Sequence, residues 1–261
     1  MSSFWGDFSF DGIRSTLFNV VMVDYGSTDI LKKHGLEIDI VVDKETSGNL
    51  RPNYTIRDKS SNRIKIQLAR TDNMPWGVTE LLNLNGWLFK NGYKRFQVDD
   101  LMVNGSNIVY YLKAVNLVKE FNRDMMGVVS VEFESYEPYA YVIPSNNPII
   151  TSSAVVINSS NLDELYKPKM IVTSKGNDNI TIYNDTISTS KGLTIKGVTN
   201  GQSVIIDNLM GTMKDGNGNN IFSKIADVNN LNFLAMKTGN NTIRVLGNAQ
   251  VELICEFPII I

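Results

Sequence analysis

Alternation of apolar and polar residues, the two-residue period of a half-buried strand, recurs along this chain far more often than the 3.6-residue period of a helix. The clearest run is Gly127 to Ser135, in which Val129, Val131 and Phe133 face one way and Ser130, Glu132 and Glu134 the other. It gives way to Tyr136-Glu137-Pro138-Tyr139-Ala140-Tyr141, where a proline cannot donate to a ladder and the strand should end. Upstream, Phe8-Ser9-Phe10 alternates into Asp11-Gly12, a tight-turn pair. Phe18 to Val23 is a short β-branched run that reads as a strand buried on both faces. Leu36, Ile38, Ile40 and Val42 alternate next, followed by Ile64, Ile66 and Leu68, which point inward from the run Arg63 to Arg70. Phe96-Gln97-Val98 and Ile108 to Val115, with the hairpin pair Asn104-Gly105 between them, bring this half to about seven strands.

One stretch breaks the pattern. From Pro75 onward Val78, Leu81, Leu82, Leu88 and Phe89 recur near a 3.6-residue period, which predicts a helix over about 75–90. Asn73 is a candidate cap, Pro75 suits the first turn and Gly92 can stop the helix. Trp76 and Trp87 should pack it onto the sheet. Residues 43–62 are polar, with Gly48, Asn49 and Pro52 as breakers around a short strand Tyr54-Thr55-Ile56, and read as an arm-like hairpin.

Beyond Pro148 the chain changes character. Short strand-like runs at 154–157, 169–173, 179–183, 193–195, 204–207, 233–235, 242–246 and 250–257 are separated by Gly and Asn, the signature of a β-sandwich without helices. The fold class is therefore mainly β: an N-terminal β-sandwich with one packed helix and a hairpin arm over residues 1–143, a linker at 144–150, and a second sandwich over 151–261. Two domains are the natural division of 261 residues, and each is large enough to bury its own core.

Composition then narrows the chemistry. A net charge of −2 lacks the basic excess that draws proteins to nucleic acid, so no sequence-specific nucleic-acid binding is expected. No run approaches the roughly 18 apolar residues of a spanning helix, and membrane insertion is not expected. The one cysteine, Cys255, alternates with Val251, Leu253 and Phe257 and reads as a buried strand residue. The one histidine, His34, lies in a basic turn with no nucleophile beside it in sequence. Asp215-Gly216-Asn217-Gly218 resembles part of a calcium loop, but no closing Glu follows, and it reads as a hairpin tip. No catalytic, cofactor-binding or metal-ligating residue is assigned, no cofactor is expected, and an enzyme is not expected.

Several segments, in order along nearly the whole chain, resemble the distal tail protein (Dit, or phage tail component) family of long-tailed bacteriophages. They are Phe8-Ser9-Phe10-Asp11-Gly12-Ile13, similar to the family's opening Phe-x-Phe-Asn-Gly; Val131 to Tyr141, similar to the strand and Pro-Tyr exit that end its first domain; Pro168 to Val172 with Ile180 to Asn184 and Val204 to Asp207, similar to the start of its galectin-like domain; and Phe233 to Ile243, similar to its Pro-Gly-x-Asn-x-Ile turn, with Thr238 in place of Pro. The resemblance implies a homo-hexameric ring at the virion tail tip, made in the host bacterial cytoplasm. It would join the tail tube protein to a tail-associated lysin or fibre protein, with the tape measure protein as a further partner and a central channel for DNA. It also implies a hairpin arm that embraces the next subunit, and an angle between the domains set by Pro138, Tyr139 and Tyr141. The alternative reading is a module that binds bacterial-wall carbohydrate. Of a galectin-type constellation only Arg244 lies in the second half, because Trp5, Trp76, Trp87 and His34 all lie in the first, and no galactoside binding is expected.

Overall fold

The computed structural model of the chain describes residues 6–23, 41–43, 53–55, 63–103, 105–227 and 231–260, with the backbone alone for 41–43, 53–55, 100 and 103. The chain divides into two compact units, Met1–Val103 with Asn107–Ala140 and Ile260–Ile261, and Asn104–Ser106 with Tyr141–Ile259.

The strands of the first unit are β1 (Phe8–Phe10), β2 (Ile13–Arg14), β3 (Val20–Val23), β4 (Val41–Asp43), β5 (Asn53–Thr55), β6 (Arg63–Arg70), β7 (Lys94–Val103), β8 (Ser106–Phe121) and β9 (Gly127–Ser135). Asp11 and Gly12 take φ of 53° and 75°, the left-handed pair that a two-residue hairpin between β1 and β2 requires. The sheet order is β2-β1-β7-β8-β9-β6-β3. In front of β1, Gly6 exchanges backbone hydrogen bonds of 3.4 and 3.1 Å with Met22 of β3, so the sheet rolls until its far edge meets the chain that begins it. Inside the roll lie Phe8, Phe10, Met22, Leu68, Phe96, Val129, Val131 and Phe133, all buried. The alternation expected of β9 is present, with Ser130 also buried because its hydroxyl donates to Glu120 at 3.0 Å.

Several expectations change in this unit. The run from Phe18 to Val23 is not a strand buried on both faces: Phe18 ends a short 3-10 turn, and β3 is an edge strand that buries Val20 and Met22 while Val21 and Val23 stay half-exposed. β8 continues past Val115 to Phe121 by means of a bulge between Ala114 and Asn116, an irregularity that hides the period. The expected strand from Leu36 lies, except for its last residues, outside the described residues, as does His34. Of the arm at 43–62, β4 and β5 pair antiparallel, Val41 with Thr55 and Asp43 with Asn53.

The helix, α1 (Val78–Leu88), is shorter than its pattern. Asn73 does not cap it and Pro75 is not in its first turn; Gly77 occupies the cap position, and Gly92 lies in a turn beyond the end. The cause is a clamp. At the end of β6, Arg70 donates from Nε and Nη2 to both oxygens of Asp72 (2.8 and 2.5 Å) and from Nη1 to the Pro75 carbonyl at 2.9 Å. The Trp76 N–H donates to the Met125 carbonyl at 2.9 Å, and Asn73 takes a left-handed φ of 54°, so the residues before Gly77 are held out of the helix. Leu81, Leu84, Trp87 and Leu88 form the buried face, whereas Val78 and Leu82, expected on it, are exposed. Trp87 stacks on Phe18 with centroids 4.3 Å apart and donates its indole N–H to the Phe10 carbonyl at 3.1 Å. Trp76 likewise donates to the Gly127 carbonyl at 3.0 Å and stacks on Phe121.

The second unit begins with β10 (Ala140–Ile143), β11 (Ile149–Ile150) and β12 (Ser153–Asn158), followed by β13 (Lys169–Ser174), β14 (Ile180–Asn184), β15 (Gly192–Ile195), β16 (Ser203–Asp207), β17 (Thr212–Asp215), β18 (Gly239–Leu246), β19 (Ala249–Ile254) and β20 (Phe257–Ile259). Two sheets, β11-β19-β13-β16-β17 and β12-β18-β14-β15, form the expected sandwich, and β10 pairs with β20. Alternate residues such as Met170 and Val172, Ile180 and Ile182, and Val251 and Leu253 fill the space between the sheets. The single strand expected over 250–257 is split at Cys255-Glu256, where the Glu256 N–H leaves the ladder and donates to the Tyr166 hydroxyl at 2.8 Å.

Phe233 to Ala235, expected as a strand, carries none. Asparagines from separate strands and turns hold this segment instead. Asn208 accepts from the Leu234 N–H, Asn184 donates to the Ala235 carbonyl at 2.7 Å, and Asn158 donates to the Met236 carbonyl. Asn241, fully buried, is saturated: its oxygen accepts from Asn184 and from the Lys237 N–H, and its amide donates to the Lys237 and Gly239 carbonyls, all at 2.8–3.0 Å. A similarly sized apolar residue would strand all of those groups, at about 1–3 kcal/mol for each one left buried.

Asn241→Leu should therefore lower stability by about 3 kcal/mol, seen as a lower urea midpoint at unchanged slope; a wild-type midpoint would show that the asparagines do not hold the segment. The guanidinium of Arg70 holds the Asp72 carboxyl down at about 2. Because the folded value lies below the unfolded one, the stabilisation from this pair is present above about pH 4 and is lost as pH falls toward the folded value. An NMR titration of the Asp72 carboxyl carbon should show its midpoint near that low value, and a midpoint in the ordinary aspartate range would remove the clamp.

Candidate functional site

The outer face of β12-β18-β14-β15 carries a group of interacting polar side chains. Arg244 on β18 stands opposite Tyr183 on β14 in the antiparallel register. Its guanidinium carbon lies 4.3 Å from the Tyr183 ring centroid, and Nε and Nη2 donate to the two oxygens of Asp185 at 2.7 and 2.8 Å. Nη2 also reaches the Thr189 carbonyl at 3.2 Å. The bidentate pair holds the Asp185 carboxyl below its usual range and raises Arg244 further. On the opposite side of Tyr183, its register partner on β15 is Gly192. A Cβ there would come within 2.7 Å of the Tyr183 ring and of the Ile182 carbonyl, so only glycine lets the ring lie down. Arg244 covers the face on which a sugar would stack. The group is a clamp between strands, and sequence reading singled out only Arg244; Asp185 and Tyr183 become visible once the register is known.

The other residues weighed from sequence are apart from one another. Cys255 is buried, and burial pushes its thiol up to about 12, so it is not a thiolate at neutral pH. Asp215 spends its carboxylate on its own turn, accepting from the Asn217 and Asn219 N–H groups and the Asn219 amide, which holds it below its usual range. Among the described residues no three His, Cys, Asp or Glu side chains gather.

Apolar surface is more prominent than polar chemistry. Val78 and Leu82, 75% and 65% exposed, line the outward side of α1 together with Phe89. Val155 and Ile157, 63% and 61% exposed, stand on the edge strand β12, and Leu209 and Met210 project from the turn between β16 and β17. Such residues are those a protein covers by association.

A catalogue of family models describes a match over residues 5–137 as a phage tail protein N-terminal domain and over residues 137–255 as a phage tail C-terminal domain. The chain belongs to this phage tail protein family. Among solved structures, this phage tail protein shares its fold with SPP1 Dit at a TM-score of 0.64 and 14% identity, covering 96% of this chain and 98% of that one. Chains of the phage P2 baseplate in its activated conformation, with Ca and with Sr, match at TM-scores of 0.51 and 0.52 and 10% identity, each covering 95% of this chain and 97% of that one. No curated protein matches the sequence. The phage tail resemblance seen in the motifs is thus shared by family and fold. The motifs also fall at definite places: Phe8 to Ile13 forms the β1–β2 hairpin, Val131 to Ser135 the end of β9, and Phe233 to Ile243 the asparagine-held segment and the start of β18.

Gly192→Ala should destabilise the phage tail protein by about 1–3 kcal/mol through overpacking against Tyr183. Thermal unfolding measures this, and an unchanged midpoint would show that the ring is not pinned between Gly192 and Arg244.

Proposed function

We propose that this phage tail protein is the structural hub of a tail tip: six copies close head to tail into a ring that joins the tail tube to the tail-tip proteins and leaves a central channel for DNA. The observation that carries this reading is the end-to-end likeness to SPP1 Dit, described as a paradigm of the hub adsorption apparatus in phages infecting Gram-positive bacteria. Both units take part in that likeness, as they do in the likeness to the P2 baseplate chains. Residues 1–143 serve as the ring domain, with the paired strands β4 and β5 at the root of an arm toward the next subunit. Residues 151–261 project as the sandwich. The partners are the tail tube protein, a tail-associated lysin or fibre protein, and the tape measure protein, and the site of action is the virion tail tip after synthesis in the host cytoplasm.

Physical features favour assembly over catalysis. Arg70, Arg244, Asp72 and Asp185 are tied up in clamps, whereas exposed apolar side chains recur on both units. A ring built from heterologous contacts needs two different complementary surfaces on each copy, and an arm beside a compact domain supplies them. A channel through which DNA slides must not hold it, which agrees with a net charge of −2. The wall-carbohydrate reading has less support, since Arg244 occupies the one ring that the outer sandwich face offers in this group.

Purified protein imaged in negative stain should show six-fold rings with a central hole, and light scattering should give six times the chain mass or a whole multiple of it. Particles of single-chain mass that stay so when the adjoining tail proteins are added would overturn the assignment.

A further inference from the structure

Exposed edge strands in natural sheets carry charges, prolines or bulges, or are covered, because an open row of N–H and C=O groups pairs with any strand that fits. Among the described residues most sheet edges of this protein follow the rule, β11 by being only two residues long. β15 is covered by the chain that follows the second sheet's turns, with Ala226 donating to the Thr194 carbonyl at 2.9 Å and Lys196 to the Lys224 carbonyl at 2.8 Å. β17 is short and carries Lys214 and Asp215, β2 carries Arg14, and β3 is met by Gly6. β12 has none of these. It stands at the end of its sheet, and from Ile149 to Asn161 there is neither a charged residue nor a proline.

The ladder shows which groups face outward. The Val245 N–H donates to the Ser152 carbonyl at 2.7 Å, and β12 pairs antiparallel with β18, Ser153 opposite Arg244 and Asn158 opposite Gly239. By the alternation of an antiparallel ladder, Ala154, Val156 and Asn158 bond to β18, while the backbone groups of Ser153, Val155 and Ile157 turn to the open edge. The side chains of Val155 and Ile157 are also the exposed ones, and those of Val156 and Asn158 are buried.

We infer that β12 is a self-pairing edge, on which a second copy of this chain adds its own β12 antiparallel about a two-fold axis at Val156. A second copy is favoured because the strand is neutral and complements itself. The strand is neutral, so it offers no charge for a differently charged partner to match. Its outward backbone groups sit on Val155 and Ile157, which in this register bond to Ile157 and Val155 of the partner in closely bonded pairs. The same register sets the exposed valine of one copy beside the exposed isoleucine of the other, so the apolar patch is its own complement. Two four-stranded sheets then become one continuous sheet, and the contact closes at two copies. The pairing does not depend on the ring: it doubles whatever assembly the rest of the chain forms.

Light scattering on the full chain, compared with the Val155→Lys/Ile157→Lys variant across a concentration series, tests this. Wild type should reach twice the mass of the variant, whose exposed substitutions leave circular dichroism unchanged. Ser153→Pro, which removes an outward N–H without touching a bond to β18, should also shift the equilibrium toward the smaller species. Under mild oxidation, a Val155→Cys/Ile157→Cys variant should give a covalent dimer, and Val155→Cys alone should not. Equal masses for wild type and the lysine variant, or growth of wild type without limit, would overturn the pairing. The two proposals fail differently: without the ring the lysine variant is a single chain, and without the pairing both proteins have the mass of the same ring.

Discussion

A backbone N–H or C=O that leaves water must find a partner, and this protein depends on how that demand is met where its ladders stop. In the second unit the segment before β18 pairs only at the bridge between Met236 and Tyr166, and asparagines 158, 184, 208 and 241 supply further hydrogen bonds to it. In the first unit two tryptophans do the same for the carbonyls of Phe10 and Gly127. Among the described residues no buried side-chain nitrogen or oxygen lacks a partner. Asparagine suits the task because one planar group both donates and accepts in pairs, as a peptide does. Tryptophan adds a donor to a large apolar body, so it can seal a core and terminate a strand in one place.

The same demand shapes the sheets. The first unit rolls one sheet until its far edge meets Gly6, which removes most of its open edge and encloses the phenylalanine core. The second stacks two sheets and covers one end with an irregular stretch. β12 is left uncovered, so it is where the backbone's unmet capacity and exposed apolar side chains coincide. A scaffold with a few uncovered surfaces accords with the hub role proposed for this phage tail protein. The ionic clamps at Arg70 and Arg244 contribute geometry within that scaffold, holding a loop before α1 and a ring across three strands.

Much of this was legible in the residues. The alternation of Val129, Val131 and Phe133, the Asp11-Gly12 turn, the burial of Cys255 and the change of character after Pro148 all follow from local rules, because a half-buried strand and a tight turn write their requirements into adjacent positions. The mainly β fold and the one α-helix among the described residues were readable for that reason, and the ordered motifs carried the phage tail family. The helix boundaries were not. Asn73 and Pro75 look like a start signal, but the neighbouring Arg70 and the Met125 carbonyl, far along the chain, hold that stretch out of the helix. Val78 and Leu82 fit the helical period equally well on either side of α1, and only the position of the sheet determines which side is inside.

What the sequence by itself determined is where strands run and which of their faces are apolar, since period and turn chemistry are local. What only the tertiary structure decided is who stands next to whom. Tyr183 lies down because Gly192 is its neighbour across one ladder and Arg244 across the other. Phe233 to Ala235 has the composition of a strand yet none forms, because buried asparagines, not a neighbouring ladder, meet its backbone. Val155 and Ile157 look like any core pair until the sheet order places them on an edge. Register and edge position are long-range properties: they arise from closure of the whole sheet, and no window of adjacent residues contains them.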